Sequence, residues 1–192
     1  MEACFLAPEP PTDNAAYEAA IEHRYGDLTD RFLSLYPADG GEESVLAATR
    51  DALYGWTAER LVIKQEARGV PAYLYLFDHG YPAASAFGLH AFHAAEVPYV
   101  FGTAARTTPL WPRIPDREEE RRLSRALGDY WAAFARTGDP TPSDGTLPAW
   151  LPFVNQGYQS LQAPAENTGP FSVLSGGQSF NQARNCTLWL GG

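Results

Sequence analysis

The stretch Tyr73 to Gly102, YLYLFDHGYPAASAFGLHAFHAAEVPYVFG, decides how the chain folds. Tyr73, Leu74, Tyr75, Leu76 and Phe77 form a continuous β-prone run, too apolar on both faces for a strand with one wet side, and predict a buried central strand over 72–77. Asp78 and His79 end it, and Gly80, Pro82 and Gly88 punctuate the loop that follows. That loop delivers His90 and His93 beyond the C-terminal edge of the strand, where open α/β sheets place their ligand crevices. A working histidine is expected there.

Upstream of the strand the continuous apolar run gives way to apolar residues recurring at spacings of three and four. Asp13 or Asn14 serves as a helix N-cap, and Tyr17, Ile21, Tyr25, Leu28, Phe32 and Leu35 trace one apolar stripe, with Gly26 a weak point and Pro37 a stop. After the turn at Asp39-Gly40-Gly41, a second long helix is expected from Val45, Leu46, Leu53, Trp56, Leu61 and Ile63, ended by Gly69 and Pro71. A helix that closes a few residues before a strand is half of a βαβ unit, so neighbouring strands should run parallel. Only short candidates for such neighbours exist, at 97–101 and 158–161, and the sheet reads as incomplete.

Downstream, 107–115 is an irregular loop holding Trp111 between Pro109 and Pro112. A helix is expected from about Asp116 to Arg136 with the stripe Leu123, Leu127, Tyr130, Trp131 and Phe134, closed by Thr137-Gly138-Asp139-Pro140. Residues 139–157 read as an extended surface connection, and the tail is polar until the short apolar run Cys186 to Leu190.

Composition narrows the function classes. At 192 residues and 45% apolar content the chain can bury a real core, and one domain is the default. A net charge of −9 and a pI near 4.8 argue against nucleic acid or an anionic membrane as partner. Arg113, Arg117, Arg121, Arg122 and Arg125 cluster, but Asp116, Glu118, Glu119 and Glu120 interleave with them, which reads as a solvated helix face. Cys4 and Cys186 stand near opposite ends and read as reduced thiols. No run of about 18 apolar residues and no export signal is visible, which makes a soluble, cytoplasmic protein the default expectation and leaves localisation otherwise unknown.

Four histidines could carry chemistry. His23 lies among charged neighbours and reads as solvent-exposed, and His79 as a structural ring that holds its loop by hydrogen bonds. His90, His93 and Glu96 are spaced by three, so one helical turn would gather three ligands for zinc or another divalent metal, although Gly88, Pro98 and Gly102 leave little room for a regular helix. From the residues alone a satisfied structural histidine is the favoured reading of His93, ahead of a metal ligand or a catalytic base.

Ala91-Phe92-His93-Ala94-Ala95-Glu96-Val97-Pro98-Tyr99-Val100-Phe101-Gly102 closely resembles the histidine motif of type-B carboxylesterases, the α/β-hydrolase family that includes cholinesterases. Their pattern there is Phe-His-Gly/Ala-x-Glu-hydrophobic-Pro-Tyr-Val-Phe-Gly. Ala72 to Phe77 looks like the family's preceding strand, and Asp129 to Pro140 resembles its C-terminal helix signature. Trp150-Leu151-Pro152-Phe153 and Cys186-Thr187-Leu188-Trp189 are similar to the segments that follow. The resemblance implies an α/β fold, the C-terminal part of an α/β hydrolase, with few parallel strands flanked by long helices. On that reading 1–192 is a single partial domain: an opening loop at 1–14, two helices over 15–69, the strand and histidine loop over 72–102, a helix over 116–137, and an extended region over 138–192.

By the same resemblance His93 would be the general base of a serine esterase, Glu96 a structural support of the histidine loop, and the reaction would need neither cofactor nor metal. The family's Gly-x-Ser-x-Gly elbow occurs nowhere in the sequence, nor does a His-Gly-Gly-Gly oxyanion string. Gly177-Gln178-Ser179-Phe180-Asn181 lacks the second glycine and follows the histidine, so Ser179 reads as a loop residue. Glu2 could be the triad acid only if shifted, since no glycine precedes it. The expectation is therefore a carboxylic ester hydrolase segment, inactive alone, acting on small-molecule esters together with a missing N-terminal portion or as a homo-oligomer, and prone to aggregate in isolation through unpaired strand edges. The alternative is a non-catalytic, hydrolase-like interaction module.

Overall fold

The structure is a computed structural model and describes residues 13–89 and 91–161. The described residues divide into two compact units at the boundary between Val70 and Pro71.

The first unit is helical. Asp13 caps α1 (Asn14–Tyr25) by accepting the Ala16 amide at 2.8 Å, as its side chain predicts. The single helix expected here is broken: Gly26 takes φ +50°, a 3₁₀ turn spans Gly26–Leu28, and α2 (Thr29–Leu35) starts afresh. Tyr17, Ile21, Phe32, Tyr36 and Val45 form this unit's core. The second long helix also differs from expectation. It runs as α3 (Gly41–Arg50) and α4 (Trp56–Glu66) joined by a π turn at Asp51–Gly55. The wider turn shifts the helical phase, so Leu53, Leu61 and Ile63, expected on the buried stripe, lie exposed, while Asp51, Gly55, Glu59 and Val62 face inward. Asp51 is satisfied there by the Tyr36 hydroxyl at 3.0 Å and Arg50 Nε at 2.8 Å.

The second unit holds the sheet. Of the strand expected over 72–77, the ladder takes β1 (Tyr75–Phe77), which pairs in parallel with β2 (Gln159–Leu161) in the register Tyr75 to Gln159 and Phe77 to Leu161. The pairing extends through single bonds at both ends, since Ala72 O accepts from Phe153 N, Leu74 O from Gln159 N, and Leu161 O from Asp78 N. Parallel pairing and the short strand near 158–161 are as expected. Burial of β1 is not: Tyr75, Leu76 and Phe77 are each half-buried, and among the described residues only β2 pairs with β1 in the sheet.

The other strand candidate, 97–101, is a helix instead. Pro98 has no N–H to give a ladder but fits the first turn of a helix, and α6 (Val97–Val100) follows α5 (Pro82–Ala86) in that form. The long α7 (Glu118–Thr137) buries Leu123, Leu127 and Tyr130, and Gly138 ends it at φ +78° with its amide on Phe134 O at 2.8 Å. Phe134, expected on the buried stripe, is exposed, and its ring meets Tyr73 edge-on at 5.9 Å. Between α7 and Leu161 the chain is irregular, with turns and bends, apart from α8 (Phe153–Gln156) and β2. This unit's core joins Tyr81, Phe92, Ala95, Tyr99, Ile114, Leu123, Leu127, Tyr130, Trp150 and Leu161. The architecture is thus a small, incomplete parallel sheet among helices.

Candidate active site

The site lies on the chain that leaves β1. Between α5 and α6 the backbone makes a tight turn in which Ala95 N bonds Phe92 O, Val97 N bonds Ala94 O, and Tyr99 and Val100 amides share Glu96 O, all at 3.0 Å. Phe92, Ala95, Pro98 and Tyr99 sink into the core while His93 stays exposed. Reversing direction between an outward His93 and an inward Ala95 puts Ala94 at φ +66°, the one left-handed non-glycine residue among the described residues. A Cβ in that region costs about 1–2 kcal/mol, so the turn carries strain beside the histidine.

Glu96, three residues on, accepts a long hydrogen bond from the Tyr75 hydroxyl of β1 at 3.4 Å. Burial, and then the adjacent Glu96 carboxylate, push the Tyr75 hydroxyl up to about 12, so it remains a donor. The Tyr75 ring is itself fixed edge-on against Trp131 at 5.2 Å and Trp150 at 6.0 Å.

A second polar cluster lies deeper. Glu120 of α7 is only 4% exposed, and its Oε2 accepts from both His79 Nε2 at 2.8 Å and the Tyr99 hydroxyl at 2.7 Å. Ser124, one turn further along α7, donates to Tyr99 O at 2.7 Å. Phe77 and Tyr99 enclose the His79 ring at 6.1 and 5.7 Å. Burial, and after it Glu120, hold the Tyr99 hydroxyl far above the ordinary tyrosine value. His79, read from the sequence as a ring that holds its loop, thus bonds Glu120 on a distant helix.

Glu120 is also where the reading of 116–125 as a solvated face fails. The arginines of that run are exposed, with Arg121 on Asp116 at 2.6 Å and on Glu118 at 3.2 Å, and Arg125 on Glu118 at 2.6 Å. Bonds from Arg125 and Arg121 hold the Glu118 carboxyl below its usual value. Glu120, however, precedes Leu123, Leu127 and Tyr130 by three, seven and ten positions, which places it on the apolar stripe. That spacing is the signal that could have found it.

The other candidates are placed plainly. His23 is exposed on α1. His90, Glu2, Ser179, Cys4 and the run Cys186 to Leu190 lie outside the described residues. Among the described residues no three His, Cys, Asp or Glu side chains converge as metal ligands, and no helix is long and apolar enough to cross a membrane.

Comparison with known proteins identifies the family. The sequence profile of the carboxylesterase family matches residues 16–189. The chain is 36% identical over 125 residues to acetylcholinesterase of Gallus gallus, covering 64% of this chain and 14% of that one. It is 34% identical over 106 residues to bile salt-activated lipase of Homo sapiens, covering 51% and 13%, and 28% identical over 134 residues to para-nitrobenzyl esterase of Bacillus subtilis, covering 69% and 26%. The chain therefore spans a minor part of these relatives. Among solved structures, a PNB esterase superposes with TM-score 0.57 at 24% identity over 82% of this chain and 30% of its own. A carboxylesterase of Geobacillus stearothermophilus superposes with TM-score 0.56 at 21% identity, over 78% and 29%. The chain belongs to the carboxylesterase family, and its fold is part of the α/β-hydrolase fold of these esterases.

Proposed function

We propose that the chain supplies the general-base histidine, His93, of a serine carboxylic ester hydrolase and that the 192 residues alone are inactive. His93 would take the proton from the nucleophilic serine as it attacks the ester carbonyl, then return it to the leaving alcohol. Water would release the acyl group by the same route, without a cofactor. The observation that carries this reading is the turn itself, which holds His93 outward between buried Phe92 and Ala95 within the family's motif. Glu96 would brace that turn through Tyr75.

The serine, the acid and the oxyanion donors would come from a longer protein of which 1–192 is a C-terminal segment. Leu110, Phe101 and Phe87, at 93%, 73% and 72% exposure, support a larger body against this unit. The substrate would be a small carboxylic ester.

Two measurements test this. Purified chain should hydrolyse a p-nitrophenyl ester no faster than its His93→Ala variant; turnover that His93→Ala abolishes would overturn the inactivity. Fused behind the N-terminal portion of Bacillus subtilis para-nitrobenzyl esterase, the chain should support hydrolysis that His93→Ala lowers by at least ~10²-fold. Hydrolysis indifferent to that substitution would remove His93 from the mechanism.

A further inference from the structure

We infer that Glu120 and Tyr99 are positioning residues for His93, an inference that rests on the reading of His93 as the general base. The turn that presents His93 runs without interruption into α6, through the bonds of Ala95, Val97, Tyr99 and Val100 to Phe92, Ala94 and Glu96 carbonyls. Whatever fixes Tyr99 therefore fixes the orientation of the whole segment from Phe92 to Gly102.

Tyr99 is held at two points by α7. Its hydroxyl donates to Glu120 at 2.7 Å, and its carbonyl accepts from Ser124 at 2.7 Å. Glu120 is in turn held by His79, which leaves β1 two residues after Phe77. The buried carboxylate thus joins three elements, the end of the strand, the short helix and the long helix, at one oxygen. The Glu96 contact to Tyr75 is longer, at 3.4 Å, so the deeper cluster is the stiffer of the two tethers. General-base catalysis needs the imidazole within hydrogen-bond reach of its partner, so a loose turn costs rate while leaving substrate binding intact.

Tyr99→Phe tests this in the full chain, because it deletes only the hydroxyl and leaves Glu120 paired with His79. Hydrogen exchange followed by mass spectrometry should show the 92–102 peptide exchanging roughly 10-fold faster, with peptides from 14–35 and 130–137 unchanged. Nuclear magnetic resonance should show the His93 imidazole signals shifted and broadened. Glu120→Leu should do the same more strongly, and Glu120→Gln, which keeps an acceptor oxygen, should restore most of the protection. Equal acceleration in every peptide, or none in 92–102, would overturn the positioning role. In the active fusion, Tyr99→Phe should lower kcat about 10-fold and leave KM within about twofold; a change confined to KM would also overturn it. If instead His93→Ala leaves the fusion active while Tyr99→Phe still loosens 92–102, the general-base reading fails and the tether stands.

Discussion

Removing the Glu120 carboxylate should expose how much the buried cluster contributes to stability. Glu120→Leu leaves two donors in the core, His79 Nε2 and the Tyr99 hydroxyl, without their 2.8 and 2.7 Å acceptor. A buried donor left unsatisfied costs about 1–3 kcal/mol, so the variant, with two, should lose roughly 2–6 kcal/mol. His79→Phe leaves a buried carboxylate with Tyr99 and should cost a comparable ~3–5 kcal/mol. The double variant removes both ionisable partners together and orphans only the Tyr99 hydroxyl, at about 1–3 kcal/mol, so it should be less destabilised than the two single costs added. Glu118→Leu is the control on the same helix: Glu118 is exposed and solvent screens its pairs with Arg121 and Arg125, so its loss should change stability little. Urea unfolding followed by tryptophan fluorescence measures all four. Additive single costs, or a Glu120→Leu loss no larger than that of Glu118→Leu, would show that the cluster is not the coupled unit its geometry implies.

Two further outcomes follow from the same unit. Ala94→Gly relieves about 1–2 kcal/mol of left-handed strain at φ +66° against ~0.4–1 kcal/mol of added unfolded-state entropy. A net gain of roughly 0.5–1 kcal/mol is expected, and a loss of stability in the same urea experiment would argue against the turn. The second concerns alkaline pH. Tyr75, Tyr99 and Tyr130 all have hydroxyls raised above 10 by burial, so the folded state keeps protons that the unfolded state gives up. Their contribution is complete below pH 10 and falls as pH rises, by about 1.4 kcal/mol per pH unit for each tyrosine, through about 12 for Tyr75 and higher for the others. Phenolate absorbance should therefore rise together with unfolding above pH 10, and gradual titration near pH 10 in a protein that stays folded would refute it.

What could be read from the sequence was whatever depends on local pattern. Asp13 as a cap, Gly138 as a helix end, the stripe Leu123, Leu127 and Tyr130, and the short strand after Tyr158 each follow from a few neighbouring residues. The failures came where a single residue overrides its neighbours. Pro98 turns an apolar run that looks like a strand into a helix, and the π turn at Asp51–Gly55 rotates every later position out of phase. In the candidate site, the motif exposed His93 and Glu96 to view. Glu120 was hidden because its charge groups it with Glu118 and Glu119, while its spacing groups it with leucines. His79, far off in sequence, is what makes that buried position tolerable.

The pairing of Tyr75 with Gln159 has a consequence for synthesis on the ribosome. The two strands are separated by most of the second unit, so closing them carries a chain-entropy cost of roughly 4 kcal/mol before any ladder bond forms. At about 5–20 residues per second, β1 waits several seconds after emerging before β2 exists. Throughout that interval its apolar face is open to other nascent chains. Holding factors that bind extended apolar segments should therefore engage residues 72–77 during translation, and release them only once Leu161 has cleared the exit tunnel.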